Sequence, residues 1–342
     1  MITERFAAQL LTGPPAGRPE EVTGRLLAVQ AQDPRGARLA IRPRSAGLTA
    51  ADVDRALTGG ALIITWLNRG TLHLVRREDY WWLHALTTPS LRVGNARRLD
   101  QEGITPEAAD RAVAVIEQSL ADEGPLTRPQ LRDRIAAAGV RTEGQALVHE
   151  LMLACLRGIS VRGPMAGREH AFVLVRDWLG APPALDRDVA LAELARRFLA
   201  GHGPADERDL AKWAGLPLRD ARGGMNAIAA ELVQRPDGLA DLAALAGQRD
   251  QSLPPPRLLG SFDPLLHGWV SREPILGQHT GIITVNGLFR PFALVQGRAV
   301  ATWTLPDGVV SLDRLTELPA AAEEALAADG ADVRRFLGLG SS

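Results

Sequence analysis

Apolar residues along this chain recur at helical spacing, break off, and then alternate as they do in strands, and the whole order repeats. Amphipathic stretches run over 20–30, over 107–120 with Val113, Ile116 and Leu120 on one face, and over 189–199 with Leu191, Leu194 and Phe198. A short helix follows each, and each of these opens on the same device. The segments Leu48-Thr49-Ala50-Ala51-Asp52-Val53, Leu126-Thr127-Arg128-Pro129-Gln130-Leu131 and Ala205-Asp206-Glu207-Arg208-Asp209-Leu210 set a capping side chain three residues ahead of an acid or amide that can cap in return. An apolar residue precedes each cap, ready to staple to another past it. The caps Thr49, Thr127 and Asp206 stand 78 and then 79 positions apart. A fixed period of this kind signals one structural unit copied in tandem. Gly59, Gly139 and Gly215 close the short helices.

The middle copy is the clearest. A helix over 143–157 precedes strands at 159–162 and 171–175, with Gly163, Pro164 and Gly167 between them. Helix, short helix, helix and hairpin is the winged helix-turn-helix order. In the first copy, strands at 62–66 and 71–75 flank Asn68-Arg69-Gly70 as a wing, while the third has only a weak strand at Leu232-Val233-Gln234. From Leu253-Pro254-Pro255-Pro256 onward the pattern changes. Strand-like runs at 281–285, 288–295 and 298–305 are parted by Asn286-Gly287, a strong hairpin signal, by Gln296-Gly297, and by Pro306-Asp307-Gly308. A helix near 316–328 ends the pattern. The fold class predicted is α+β: three tandem winged-helix units (1–104, 105–182, 183–250) and a C-terminal antiparallel β-subdomain (251–342).

Composition sets bounds on this picture. At 342 residues and 46% apolar, the chain can bury a core for several small domains. Cys155 is the only cysteine, which rules out an intramolecular disulfide and fits a buried thiol in an intracellular, cytoplasmic protein. No apolar run has membrane length, and Met1-Ile2-Thr3-Glu4-Arg5 does not open a secretory leader, so no membrane partner is expected. The seven histidines lack ligand spacing, so no metal and no cofactor are expected. Net charge is −1, yet residues 34–98 hold eleven arginines against four acids, and residues from 301 hold seven acids against three arginines. A duplex needs a basic face rather than a basic protein. Arg35, Arg38, Arg42 and Arg44, just past the first helix, and Arg69 in the first wing are the candidates to meet phosphate.

Three segments carry a resemblance to a known family. Leu27-Ala28-Val29-Gln30-Ala31-Gln32-Asp33-Pro34-Arg35, Thr65-Trp66-Leu67-Asn68-Arg69-Gly70-Thr71-Leu72-His73-Leu74-Val75 and Phe262-Asp263-Pro264-Leu265-Leu266 resemble the AlkZ/YcaQ family of bacterial winged-helix DNA glycosylases, which remove alkylated purines and unhook interstrand crosslinks. The likeness runs from about 5 to 340. It implies a concave face that grips double-stranded DNA containing alkylated purines, and three dissimilar heads on one chain favour a monomer. Gln30 and Gln32 match the family's Gln-x-Gln motif and become the candidate catalytic pair. The other branch of the family has Asp at the second position, which this chain lacks.

The pair's geometry follows from the chain. Pro34 biases Asp33 away from helical backbone, so the first helix is expected to end around Gln30 to Gln32. Residues two apart on extended backbone share a side, so both amides can project together. Alkylation at N7 or N3 leaves the purine cationic, so it departs neutral and needs no general acid. Two amides then suffice to place a water against the developing sugar cation. His73 and Arg290, the latter beside the Asn286-Gly287 tip, are further DNA-contacting candidates, and Asp33 is expected to face away from Gln32. Trp81 and Trp82 read as core. A non-catalytic winged-helix binder, regulator or architectural protein, is the alternative. Both simple methylation and a bulky natural-product adduct tied to self-resistance fit the natural lesion, and both flipped and stacked attack remain open.

Overall fold

A computed structural model describes residues 1–279 and 281–340. The chain folds into two compact units, one of residues 1–53 with 188–342 and the other of residues 54–187. The first expected domain, 1–104, is therefore divided between them. The opening arm contributes α1 (Ile2–Ala8), α2 (Pro19–Leu26), the short strand β1 (Val29–Gln30), α3 (Pro34–Ile41) and α4 (Ala50–Thr58). The second unit follows with β2 (Leu62–Leu67), β3 (Thr71–Arg76), α5 (Tyr80–Thr87), α6 (Pro89–Gln101), α7 (Pro106–Glu123), α8 (Arg128–Ala137), α9 (Ala146–Leu156), β4 (Ser160–Ala166), β5 (Glu169–Leu174) and α10 (Val175–Trp178). The chain then returns through α11 (Arg187–His202), α12 (Glu207–Ala214), α13 (Leu218–Ala227), β6 (Leu232–Gln234) and β7 (Ala240–Leu242). It ends with β8 (Arg257–Leu259), α14 (Glu273–Leu276), β9 (Phe292–Val295), β10 (Arg298–Thr304), β11 (Ser311–Arg314) and α15 (Ala320–Phe336). The fold is α+β, with antiparallel sheets.

All three caps close as their spacing requires. The Thr49 backbone N–H donates to Asp52 at 2.7 Å, that of Thr127 to Gln130 at 2.8 Å, and Asp206 accepts from the N–H groups of Arg208 and Asp209. The second and third copies share a further detail. The residue before the cap pairs on both its polar groups with the second strand of the following hairpin: Leu126 with Phe172, and Ala205 with Ala240. Both copies thus show helix, bridging residue, short helix, helix and hairpin (α7–β5 and α11–β7). The first copy has no helix between α4 and β2.

In the second unit the sheet order is β3-β2-β4-β5, and β2 meets β4 at Ile64 and Arg162. The Arg162 guanidinium lies 5.0 Å from the ring centres of both Trp66 and Phe172. Helix α9 is buried over nearly its whole length, from Ala146 to Leu156. The helix that a winged-helix protein ordinarily offers to a groove is core in this copy. Tyr80 is fully buried, whereas Trp81 and Trp82 are half-buried.

In the first unit, a sheet in the order β11-β10-β9-β8 carries α15 against β8, where the Leu258 N–H donates to Asp329 at 2.7 Å. The sequence pattern anticipated β9 and β10 but missed β8 and β11. Residues 281–290 form a narrow hairpin held by the Ile283–Phe289 bridge, rather than two full strands. Arg5 anchors α1 by donating to the Pro204 carbonyl at 3.0 Å, pairing with Asp209 and stacking 4.6 Å from the Trp269 ring centre. Among the described residues no helix is long and apolar enough to cross a membrane.

Glu150 on α9 is fully buried, and neither carboxylate oxygen has a hydrogen-bond partner. Burial, and secondarily the charge of Glu143, raise its pKa to about 7. An acid whose pKa is higher in the folded than in the unfolded chain stabilises the fold below the unfolded value and loses that contribution as pH rises through the folded one. Glu150→Gln should therefore raise the melting temperature at pH 8, where the carboxylate costs up to about 3 kcal/mol, and change it little at pH 5. Thermal denaturation at the two pH values checks this, and an equal shift at both would refute it.

Candidate active site

Chain geometry around Gln30 is set by what ends α2. Leu27, fully buried, takes φ 65° and ψ −46°, and the Ala28 N–H donates to the Leu26 carbonyl at 2.8 Å. This is the rare, strained form of γ-turn. It stops the helix before Gln30 and turns the chain into the extended pair Val29–Gln30. The amides therefore do not sit on a helix end, as the apolar period had implied. They lie on a connector between two helices. On that connector they share a side, and the Gln30 Nε2 donates to the Gln32 Oε1 at 2.8 Å. Gln30 is 6% exposed, while Gln32 is exposed to solvent.

Asp33 and Pro34 start α3. Asp33 has extended backbone, Pro34 takes the first helical position, and the Asp33 Oδ1 accepts from the Arg35 N–H at 3.0 Å. The other carboxylate oxygen accepts from the Ser261 hydroxyl. Both oxygens of Asp33 are thus engaged away from the glutamine pair.

Arginines that looked alike in sequence fall into two groups. Arg35 is exposed, and Arg38, half-buried, reaches back to the Pro34 carbonyl at 2.7 Å. Arg42 and Arg44, expected to meet phosphate, face inward instead. Arg44 is fully buried and forms a two-pronged pair with Asp263 at 2.7 and 2.9 Å, with further donation to the carbonyls of Gln9 and Ala40. Arg42, 4% exposed, is bound by Asp329, Asp332 and the Leu258 carbonyl. Burial would loosen its proton, but those carboxylates more than offset it and the net shift is upward. A guanidinium buried this deeply and paired with carboxylates is not presented to a phosphate.

Asp263 closes a tight segment. It also accepts from the Leu265 N–H at 2.9 Å, and its neighbour Phe262 takes φ 55°. Such backbone in a bulky residue stores strain that surrounding contacts must hold. The Phe262 ring stacks on His267 at 6.3 Å, and His267 lies 4.3 Å from Phe289 at the base of the 281–290 hairpin. At the tip of that hairpin Val285 is fully exposed and Leu288 is 57% exposed, with exposed Arg290 below them.

The remaining candidates belong to the second unit. Arg69 occupies the turn between β2 and β3 and is half-buried. His73 on β3 is 2% exposed, and its Nδ1 lies 2.9 Å from the Thr71 carbonyl. Burial, then the Arg69 charge, push its pKa down to about 3, so the ring is neutral at physiological pH. It is not a cationic partner for DNA. Among the described residues no group of His, Cys, Asp or Glu is placed to hold a metal ion. Cys155 is buried, with its thiol 3.6 Å from the Ser160 hydroxyl.

This connector, the exposed arginine beside it and the projecting hairpin belong to a DNA glycosylase. The chain is a member of the AlkZ-like DNA glycosylase family, whose model matches residues 23–336. A curated relative, an interstrand DNA cross-link repair glycosylase of Streptomyces sahachiroi, is 26% identical over 351 residues, or 93% of this chain and 91% of the relative. The solved structure of the Streptomyces sahachiroi DNA glycosylase AlkZ superposes with a TM-score of 0.78 at 25% identity, over 99% of this chain and 96% of that one. Between enzyme and non-catalytic binder, the family decides for the enzyme.

The two groups of arginines should separate in stability measurements. Arg44→Ala or Asp263→Ala leaves a buried charge alone and should cost about 3–5 kcal/mol in denaturant unfolding. Arg35→Ala should stay within about 0.5 kcal/mol. Equal effects would mean that Arg44 is not the anchor its contacts describe.

Proposed function

We propose that this glycosylase hydrolyses the N-glycosidic bond of cationic N7- or N3-alkylated purines in duplex DNA, as a monomer, with bulky adducts and interstrand crosslinks among its substrates. The observation that carries this reading is the directed bond from Gln30 to Gln32. An amide oxygen has two lone pairs. Donation from the buried Gln30 occupies one of them on Gln32 and fixes its carbonyl, leaving the second to accept from a water at the exposed end of the pair. That water is aimed at the anomeric carbon while the base departs with the bonding electrons, which cancel the positive charge that alkylation placed on its ring. One water proton is released to solvent as the new C–O bond forms. An amide is a weak base, so the scheme selects for leaving groups that are already activated. The crosslink assignment draws on the activity named for the Streptomyces sahachiroi relative.

Binding is assigned to Arg35, Arg38 and Arg290 in the first unit; Arg69 is the candidate within the second unit, taken by itself. The apolar hairpin tip of Val285 and Leu288 has the form of the wedges that other proteins insert between base steps in the minor groove. Arg42, Arg44 and His73 have no part in it.

A duplex bearing one N7-methylguanine should yield free base and an abasic site, with undamaged duplex left intact. Gln30→Ala and Gln32→Ala should each slow single-turnover release by about 100- to 1,000-fold. Release that survives both changes would remove the site assignment. Because neither amide titrates, the rate should be flat from pH 6 to 9, and a sigmoidal profile would point to an ionisable base instead. Separately, Arg35→Ala and Arg290→Ala should each lower the slope of log affinity against log salt by about 1. An unchanged slope would place these arginines off the DNA.

A further inference from the structure

We propose that Ser261 is a positioning residue for the reaction: through its hydroxyl it holds Asp33, and through Asp33 it fixes the register of the Gln30–Gln32 pair. This rests on the assignment of that pair as the catalytic site. The connector carrying the pair is short, running from the Leu27 turn to the Asp33 cap. Its first end is fixed by the γ-turn. Its second end is held at the Asp33 cap, and Gln32 is the residue immediately before it. The Asp33 carboxylate bridges the first turn of α3, through the Arg35 N–H, and the Ser261 hydroxyl.

Ser261 is itself held in place. It leaves β8 just after Leu259, whose carbonyl accepts from the Trp303 Nε1 at 2.8 Å. It precedes Phe262 at φ 55° and Asp263, which is clamped by Arg44. The approach of α3 to this segment is so close that only glycine fits on either side. A Cβ on Gly36 would lie 2.4 Å from the Ser261 carbonyl oxygen, and one on Gly260 would lie 2.9 Å from the Leu39 Cβ. A backbone contact this tight, backed by a buried ion pair, makes Ser261 a rigid reference point. The hydroxyl transmits that rigidity to the connector, where a displacement of about 1 Å can cost about 100-fold in rate.

The test compares single-turnover release of 7-methylguanine with affinity for the same duplex. Ser261→Ala and Asp33→Ala should each slow release about 10- to 100-fold, with affinity within about threefold. The double variant should be no slower than the worse single one, since both break one link. Asp33→Asn keeps an acceptor for the Arg35 N–H and a polar contact for Ser261, and should recover most of the rate. Gly36→Ala, which pushes the two segments apart without removing a polar group, should also slow release. A second readout needs no chemistry. In the full chain the Gln30 side-chain amide should give a sharp, slowly exchanging 15N–1H pair, and Ser261→Ala or Gly36→Ala should broaden it. Normal release and an unchanged Gln30 amide in Ser261→Ala would overturn the proposal. So would a loss of rate that only tracks a loss of affinity or folding. Asp33→Asn as slow as Asp33→Ala beside a normal Ser261→Ala would make Asp33 a reacting group instead. If wild-type protein releases no base, the catalytic reading fails, and the amide signal still decides whether Ser261 holds the pair.

Discussion

One fully buried ion pair, Arg44 with Asp263, organises the unit that carries the glutamines. Its two prongs join the turn just after α3 to the segment that follows β8, two stretches more than two hundred residues apart in sequence. Burying two charges is costly, and a well-packed apolar pair would often be as stable or more so. What the pair adds is a unique geometry. Guanidinium and carboxylate meet at two points, Arg44 also reaches the Gln9 and Ala40 carbonyls, and Asp263 also takes the Leu265 N–H. With Asp263 fixed, Phe262 is kept in left-handed backbone and Ser261 is turned towards Asp33. Strain near the site is thus maintained by contacts outside it, the usual arrangement when a fold must over-determine an unfavourable backbone state.

The same reasoning revises the meaning of the charge pattern. An arginine-rich stretch near one end of the sequence and an acid-rich stretch near the other can be read as a DNA-facing patch and a solvated tail. Arg42 joins them internally instead, through Asp329 and Asp332 on α15. Part of the local excess of positive charge is therefore neutralised within the fold. The arginines left for a duplex are those whose side chains stay at the surface, such as Arg35 and Arg290. A count of charges in a window cannot separate these groups, because it contains no information on which side of a helix faces inward.

How much of this was legible in the chain depended on whether the signal was local. The three caps were, because a capping box lies within four residues, and all three form. The hairpin at Asn286-Gly287 and the strands β2, β3, β9 and β10 followed from alternation and turn residues. The end of α2 was not legible: Leu27 is a good helix former, and only the burial of its side chain and the following strand hold it at positive φ. Helix α3 was missed although its start is written as Asp33-Pro34, a cap and a first-turn proline, because that proline was read as the end of the preceding helix rather than the start of the next. Strands β8 and β11 are too short to show a period. The glutamine pair itself came from a family motif, since two amides two residues apart carry no chemical signal alone. Its mutual hydrogen bond is a product of the γ-turn and the cap together.

That dependence explains the asymmetry between the two amides. A pair two apart within a helix would have pointed to nearly opposite sides. The extended connector places them on one side, but it does so between two ends of unequal depth. Gln30 lies at the buried end, close after the turn, and Gln32 at the exposed end, just before the cap. The bond between them therefore runs outward, from a donor shielded from water to an acceptor that meets it. In the proposed chemistry this matters more than basicity: a shielded donor does not exchange its partner for solvent, so the outer carbonyl keeps its direction while the sugar gathers charge. A carboxylate at the second position could supply the same acceptor with greater strength, but it would not need a donor to orient it as an amide does. In that scheme two amides place the burden on positioning, and a close backbone approach, Gly36 against Ser261, lies where that positioning is set.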